Sequence, residues 1–196
     1  MSAKLNTFQK VRELTGWHAV AYAATLAERM KPNFQLFCET AEFDDEGQFH
    51  KSMEAIWQWL SRTGSKINFT LQLEKIENVT PDAAEHDSFG VYPAIDAAIS
   101  LAAIISLITN DEPQGAVIVS KLSQGSVEAF VELVSEQSLS SQEIKEHPLM
   151  QWEVAFQNEL LEQISDLPEG AKSVKLLREM ATSEGVSNIG LEINSL

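Results

Sequence analysis

The sequence predicts an all-α fold, a single compact bundle of roughly eight to ten helices with a short extended C-terminal tail. Three observations lead to this expectation. Apolar residues recur three and four positions apart along much of the chain, as on the buried face of a helix. Residues typical of helix ends separate these stretches. The 196 residues suffice for one hydrophobic core, so we expect one helical domain over residues 1–196, of which 186–196 form the tail.

The first half of the chain shows several helical stretches. Residues 17–27 contain few polar side chains, which predicts a helix buried on most sides. Pro32 is expected to end the helix that carries Met30 and to begin the next one. Asp45 and Gln48 form a candidate capping box. The helical spacing is clearest in three groups, which are Phe34, Phe37, Cys38 and Ala41; Phe49, Met53, Ile56, Trp57 and Leu60; and Phe69, Leu73 and Ile76.

The second half begins with a predicted helix start, in which Thr80 is the cap and Pro81 lies in the first turn. Residues 93–108 form the helix with the fewest polar residues. Its most apolar stretch, 97–108, has 12 residues. A membrane-spanning helix needs about 20. We therefore expect a buried helix and no membrane insertion.

Towards the C-terminus the pattern is mixed. Residues 117–119 are β-branched, so a short strand and a helix both stay open there. Ser140 with Glu143 is a second candidate capping box, and Gly185 is a plausible helix stop. In the tail, apolar residues alternate with period two, as in a half-buried strand; they are Ile189, Leu191 and Ile193. A lone strand needs a partner, which a second subunit could supply, so a homodimer is possible.

The charge of the chain is strongly negative, at −15. Residues 111–169 hold 12 acidic residues against only Lys121 and Lys145. Nucleic acids and anionic membranes need basic footprints, so neither is expected as a partner. The single cysteine, Cys38, fits a reducing compartment, and the polar N-terminus lacks the pattern of a signal peptide. These features predict a cytoplasmic protein.

The sequence lacks the motifs that are typical of nucleotide binding, of serine hydrolases and of zinc proteases. It contains no GxxxxGK[ST], GxGxxG, GxSxG or HExxH, and none of its four histidines follows an acidic residue three positions earlier. We therefore expect no cofactor, no metal and no catalytic residue. Whether the chain is an enzyme stays open, and the missing motifs favour a non-enzyme.

One candidate site is a polar seam on the first long helix. The seam consists of His18, Tyr22, Thr25 and Arg29. Helical geometry places these four side chains on one line. A buried arginine needs an anion, and the candidates are Asp96, which follows Tyr92 on the most apolar helix, and Glu153, which lies within an apolar helical sector. These residues predict either a satisfied network in the core or a pocket for a small ligand.

Two acidic clusters offer further candidates. Glu128, Glu132 and Glu136 recur every four residues and define a candidate interaction face, although a solvated surface explains the same pattern. A basic partner protein or a cation would neutralise them. The second cluster combines Glu46, His50 and Glu54 on one predicted helix face, where a divalent metal is an alternative to ordinary helix capping.

Several stretches resemble one family. They are AERMKPNFQLFCET (27–40), KINFTLQLEK (66–75), GVYPAIDAA (90–98), AVIVSK (116–121) and SNIG (187–190). In this order they are similar to the YjaG-like proteins, a bacterial family of unknown function. The resemblance implies an all-helical cytosolic protein and no known activity.

These observations support two main hypotheses about function. The first is a non-catalytic, acidic protein-interaction protein of the bacterial cytosol, with the missing motifs and the acidic surface in its favour. The second is a small-molecule-binding protein or an enzyme with its pocket at the polar seam. A weaker third is mimicry of nucleic-acid charge by residues 111–169.

Overall fold

The computed structural model describes residues 6–192. This part of the chain folds into nine α-helices and one 3₁₀ turn, with no strand longer than a single bridge. The all-α prediction is confirmed. The helices are α1 (Thr7–Glu13), α2 (Gly16–Thr40), α3 (Gln48–Leu60), α4 (Phe69–Asn78), α5 (Val91–Ile108), α6 (Gly115–Val134), α7 (Ser141–Glu146), α8 (Pro148–Ile164) and α9 (Ala171–Thr182), and the 3₁₀ turn is Ala83–Glu85.

Two long helices form the centre of the bundle. α2 is buried at every position from Ala19 to Met30, and it packs against α3, α5, α6, α8 and α9. α5 packs against α2, α3, α4 and α6. Because α2 and α5 have apolar residues on most sides, the amphipathic helices surround them and cover their faces.

α5 is also the one helix of the described residues that is long and apolar enough to cross a membrane, with a mean hydropathy of 2.0 over 18 residues. More than half of it, 56%, is buried inside the bundle. This burial identifies α5 as a core helix and explains why its sequence carries so few polar residues.

The predicted break at Pro32 is wrong, because α2 runs through it without interruption. Pro32 has no N–H to donate to the carbonyl of Glu28 four residues earlier, and proline inside a helix costs about 3 kcal/mol. Phe34 and Phe37 follow it on the same helix, and both are buried. Burying a phenylalanine contributes about 1.5–3 kcal/mol. The two rings together therefore offset the cost of keeping the helix continuous.

The predicted helix starts had different outcomes. Ser140 and Glu143 form the expected reciprocal capping box of α7. Asp45 accepts from the backbone N–H of Phe49, but the capping box does not form, because Gly47 is the N-cap and Gln48 is the first residue of α3. The Gln48 side chain donates to Ser52 and Gln72.

No helix begins at Thr80 and Pro81. The Thr80 hydroxyl donates back to the carbonyl of Ile76 at the end of α4, and Asp82 caps the 3₁₀ turn that follows. Thr80 therefore closes the preceding helix rather than opening the next one.

The two ambiguous segments are settled as helix and turn. Residues 117–119 lie inside α6. The tail makes one antiparallel bridge, between Val186 and Glu192, around a turn that Gly190 enables with a positive φ of 84°. The extended segment thus pairs with its own chain. A homodimer stays a prediction, but an unpaired strand no longer argues for it. Ile193 and the rest of the predicted tail lie outside the described residues.

Candidate functional site

A buried ion pair lies at the C-terminal end of the predicted polar seam, at Arg29. Arg29 is 2% exposed and Glu153 is fully buried, and Arg29 Nη1 lies 2.5 Å from Glu153 Oε2. The structure thus joins the arginine to one of its two candidate carboxylates. α2 supplies the cation and α8 the anion, so the pair bridges two helices of the core.

Two aromatic rings of α8 enclose the guanidinium. The Arg29 Cζ lies 3.8 Å from the centroid of Phe156 and 4.6 Å from that of Trp152. Trp152 precedes Glu153 by one residue and Phe156 follows it by three, so a single turn of α8 provides both the charge and the rings. Cation–π contacts of this kind are worth about 2 kcal/mol when desolvated. They stabilise a cation whose Nη2 has no hydrogen-bond partner within the described residues.

The second oxygen of Glu153 belongs to a wider network. Glu153 Oε1 accepts from Ser123 Oγ at 2.6 Å and from Gln157 Nε2 at 2.8 Å. Gln157 Oε1 in turn accepts from Ser120, Gln124 and Tyr22. Each carboxylate oxygen therefore has donors, as a buried charge requires.

Tyr22 acts in this network as a neutral donor. Burial raises the pKa of its hydroxyl, the hydrogen bond with Ser120 lowers it, and the negative charge of Glu153 raises it again. The net shift is upwards, so the proton stays on the oxygen. The contacts of Tyr22 to Ser120 and Gln157 are long, at 3.3 Å each.

The network also reaches the C-terminal turn. Asn188 is fully buried and donates from Nδ2 to the carbonyl of Ser123 at 3.0 Å and to its hydroxyl at 3.2 Å. Its Oδ1 accepts from Nδ2 of Asn33 at 2.8 Å. Two asparagines therefore connect α2, α6 and the 186–192 turn.

The other seam residues are satisfied separately. His18 is half-buried and its Nε2 lies 3.0 Å from the carbonyl oxygen of Leu167. Thr25 donates to the carbonyl of Ala21 on its own helix. Neither the cleft nor the small cavity described below is lined by His18, Tyr22 or Arg29. His18, Tyr22, Thr25 and Arg29 each make at least one hydrogen bond within the described residues, as the alternative of a core network predicts, and a pocket at the seam stays a prediction.

Two residues expected in the same site lie elsewhere. Tyr92 is 53% exposed, and its ring faces Phe89 on the surface. Asp96 accepts from Ser126 at 2.7 Å, and burial raises the pKa of its carboxyl while this hydrogen bond lowers it. The structure therefore joins neither residue to the Arg29–Glu153 pair, since Tyr92 is at the surface and Asp96 bonds to α6.

The candidate acidic face lies on the exposed side of α6 and just beyond its end. Glu128, Glu132 and Glu136 are all exposed. Glu128 borders a cleft of about 820 Å³ between α1, α6, α7 and α8. The cleft has apolar walls from residues such as Ile144 and Met150, and Lys121 and Lys145 also line it.

The second acidic cluster makes different contacts. Glu54 binds the guanidinium of Arg178, with Oε1 at 2.6 Å from Nη2. His50 is exposed on α3, and Glu46 precedes the helix with a positive φ of 53°. Glu46 is therefore not on the same helix face as His50. In residues 6–192 no three acidic, histidine or cysteine side chains are grouped as a metal site requires.

The sequence-based search missed the polar groups that complete the network. They are Asn33, Ser120, Ser123, Gln157 and Asn188. Gln157 could have been predicted from the sequence, since it follows Glu153 by one helical turn on an apolar sector. The two asparagines could not, because their contact joins positions 155 residues apart.

The chain matches one protein family and several relatives over nearly its whole length. The family model described as "Protein of unknown function (DUF416)" matches residues 6–192. An uncharacterized protein of Haemophilus influenzae is 32% identical over 189 residues, which is 95% of this chain and 96% of that protein. YjaG of Escherichia coli K12, also described as uncharacterized, is 34% identical over 184 residues, covering 93% and 94% of the two chains.

A solved structure extends the agreement to three dimensions. The crystal structure of a DUF416 family protein from Shewanella baltica OS155 superposes with a TM-score of 0.87 at 34% identity, covering 96% of this chain and all of that one. The resemblance to the YjaG-like proteins is confirmed. The chain belongs to the DUF416 family of proteins of unknown function.

Proposed function

We propose that this protein is a non-catalytic protein of the bacterial cytosol that binds a basic partner protein through an acidic face on α6. The acidic face is defined by Glu128, Glu132 and Glu136, with Leu133 and Val134 between them. One observation carries the proposal, namely exposed carboxylates without cations beside exposed aliphatic side chains.

The charges of this region are largely unneutralised. Residues 111–169 contain 12 acidic side chains, and only Glu153 and Glu169 lie within 4.0 Å of a lysine or arginine nitrogen in the described chain. Like charges four residues apart on a helix cost about 0.2–0.5 kcal/mol per pair. A basic partner would remove this repulsion, and complementary charge also speeds association.

The aliphatic residues provide an anchor for such a partner. Leu133 is 55% exposed and Val134 is 56% exposed, at the last turn of α6. Burying exposed apolar side chains against a partner contributes affinity, and a polar rim commonly surrounds the apolar centre of an interface. In the sequence this aliphatic pair lies between Glu132 and Glu136, so an apolar contact and charge pairs are both available at the end of α6.

The experiment is affinity purification from lysate of the native cell, first at low and then at high salt. We expect the wild type to retain a basic protein that high salt releases, because screening weakens exposed charge pairs. The variant E128Q/E132Q/E136Q should lose that protein. A matched control, E74Q/E77Q/E85Q, removes the same charge from exposed positions on α4 and the 3₁₀ turn and should retain it. Equal retention by both variants would contradict the proposal.

A second candidate function is binding of a small amphipathic anion in the cleft of about 820 Å³. Lys121 and Lys145 are the only lysine or arginine residues between positions 111 and 169, and both line this cleft. Neither lies within 4.0 Å of a carboxylate of the described residues. Two unpaired cations over apolar walls suit a carboxylate with a hydrocarbon body.

Dodecanoate is a suitable probe for this second function. We expect calorimetry to show binding to the wild type and at least tenfold weaker binding to K121Q/K145Q, which keeps the walls and removes the charges. The same affinity for both proteins would rule out the lysines as the recognition element. The variant E132Q/E136Q serves as the control, because neither Glu132 nor Glu136 lines this cleft.

A further inference from the structure

A small cavity lies at a different place from both surfaces, where α2, the start of α5, the end of α6 and the 186–192 turn meet. Its volume is about 170 Å³. Most of its wall is apolar, with the aromatic rings of Phe37, Phe89 and Phe130 and the side chain of Ile189 among the lining groups. An apolar cavity of about 150 Å³ is large enough for a molecule of the size of benzene.

Asn33 is the buried polar residue of this wall. It is 2% exposed, and its Oδ1 has no hydrogen-bond partner among residues 6–192. A buried carbonyl oxygen that accepts no hydrogen bond costs free energy, and such groups in folded proteins need an explanation.

The orientation of the Asn33 amide is set by its neighbours. Asn188 must place Nδ2 against the carbonyl of Ser123, which can only accept. The Oδ1 of Asn188 therefore faces Asn33, and Asn33 must donate from Nδ2 to it. A flip of the Asn33 amide would bring two oxygens together. The network thus leaves the Asn33 oxygen as the free acceptor beside the cavity.

From this geometry we propose that the cavity binds a small neutral molecule with a single aromatic or similarly planar ring and one N–H or O–H donor. The ring packs among the three phenylalanines, and its donor bonds to Asn33 Oδ1. No charged side chain lines the cavity, which disfavours an ionic ligand. The alternative occupant is water, which satisfies a carbonyl but makes poor contacts with apolar walls.

Phenol and toluene distinguish these occupants, because they have nearly the same shape and only phenol has a donor. Titration of ¹⁵N-labelled protein, followed by chemical shift, gives both affinities and locates the site. We expect both probes to shift the amides of Ser88, Gly90 and Ile189, with phenol binding about tenfold more tightly, which is equivalent to about 1.4 kcal/mol.

Variants then assign the preference to one atom. Asn33→Leu keeps a side chain of similar size without the acceptor, so phenol should lose its advantage while toluene still binds. Ser88→Ala is the control, because it removes the hydroxyl of another cavity-lining residue and should preserve the advantage. If Asn33→Leu does not fold, contacts from the phenol ring to Phe89 and Phe130 in the wild type, measured by nuclear Overhauser effects, locate the probe instead.

Three results would overturn the proposal. They are absence of binding by either probe at millimolar concentration, which indicates water alone; equal affinity of the two probes for the wild type; and loss of the phenol preference in Ser88→Ala but not in Asn33→Leu. The test is independent of the acidic face, because the E128Q/E132Q/E136Q variant leaves every cavity-lining residue unchanged.

Discussion

Replacing Arg29 or Glu153 singly should destabilise the protein far more than replacing an equivalent pair on its surface. The variants are Arg29→Met, Glu153→Gln and the double variant. In each single variant one buried ion loses the charge that compensates it, because Arg29 is 2% exposed and Glu153 is fully buried. Burying an uncompensated charge is among the costliest defects that a folded protein can contain.

The expected magnitude follows from this burial. Removing one partner of a buried pair costs about 3–5 kcal/mol, a large part of the roughly 5–15 kcal/mol that stabilises a typical domain. Glu153 retains Ser123 and Gln157 as donors when Arg29 is lost, which argues for the lower end in Arg29→Met. The double variant leaves no uncompensated charge, so its loss should be smaller than the sum of the single losses by about 2–3 kcal/mol.

Urea unfolding at neutral pH measures these differences, provided that the slope of free energy against urea is unchanged between variants. The control is Arg62→Met, which breaks the Arg62–Glu169 pair with both side chains nearly half exposed, at 44% and 48%. Such a surface pair is worth about 0–1 kcal/mol. The reasoning would be refuted if either core variant lost less than about 1 kcal/mol, or if the two losses added within about 0.5 kcal/mol.

Three further predictions concern single residues. Gly115→Ala places a Cβ 2.6 Å from the carbonyl oxygen of Ala103 and should lower the free energy of unfolding by about 1–3 kcal/mol. In Gly125→Ala the new Cβ meets nothing within 4 Å, so this variant should be more stable by about 0.5–1 kcal/mol. Urea unfolding of both variants checks this prediction. Burial raises the pKa of the Asp96 carboxyl above its ordinary value of 3.8. The native state therefore keeps the Asp96 proton to a higher pH than the unfolded chain does. The stability that this proton contributes is lost as pH rises above 3.8. The advantage of Asp96→Asn over the wild type should accordingly grow with pH in unfolding experiments, and a difference that shrinks instead would contradict the sign. Burial and nearby carboxylates raise the pKa of the Cys38 thiol to about 12. Because the thiolate is the reactive form, iodoacetamide at pH 8 should alkylate Cys38 roughly a thousandfold more slowly in the native protein than in urea. Comparable rates in the two states would contradict this prediction.

The fold was largely predictable because its signals are local. Helical spacing of apolar residues and the Ser140–Glu143 capping box both depend on neighbours within one or two turns. The errors arose where distant contacts decided the outcome. Pro32 stays inside α2 because the buried rings that follow it pack against other helices, and the tail turns back because Val186 pairs with Glu192 in the same chain.

The candidate site was predictable in part for the same reason. Spacing on one helix placed Tyr22 and Arg29 on a common line, and the cost of a buried cation pointed to a carboxylate such as Glu153. Local spacing cannot distinguish Glu153 from Asp96 as the partner of Arg29. That choice depends on which faces of α5 and α8 turn towards α2, a property of three-dimensional packing.

The Arg29–Glu153 network and the acidic face on α6 differ in whether their charges are neutralised within the described chain. This difference allows stability and the proposed function to be tested separately. In the core, one cation and one anion are matched and enclosed, so we expect a change there to act mainly on the free energy of unfolding. On the α6 surface, the carboxylates have no cation within the described chain, so neutralising them removes repulsion and should leave stability unchanged or slightly higher. A variant such as E128Q/E132Q/E136Q that keeps its stability but loses a partner would therefore locate the activity on the surface rather than in the interior network.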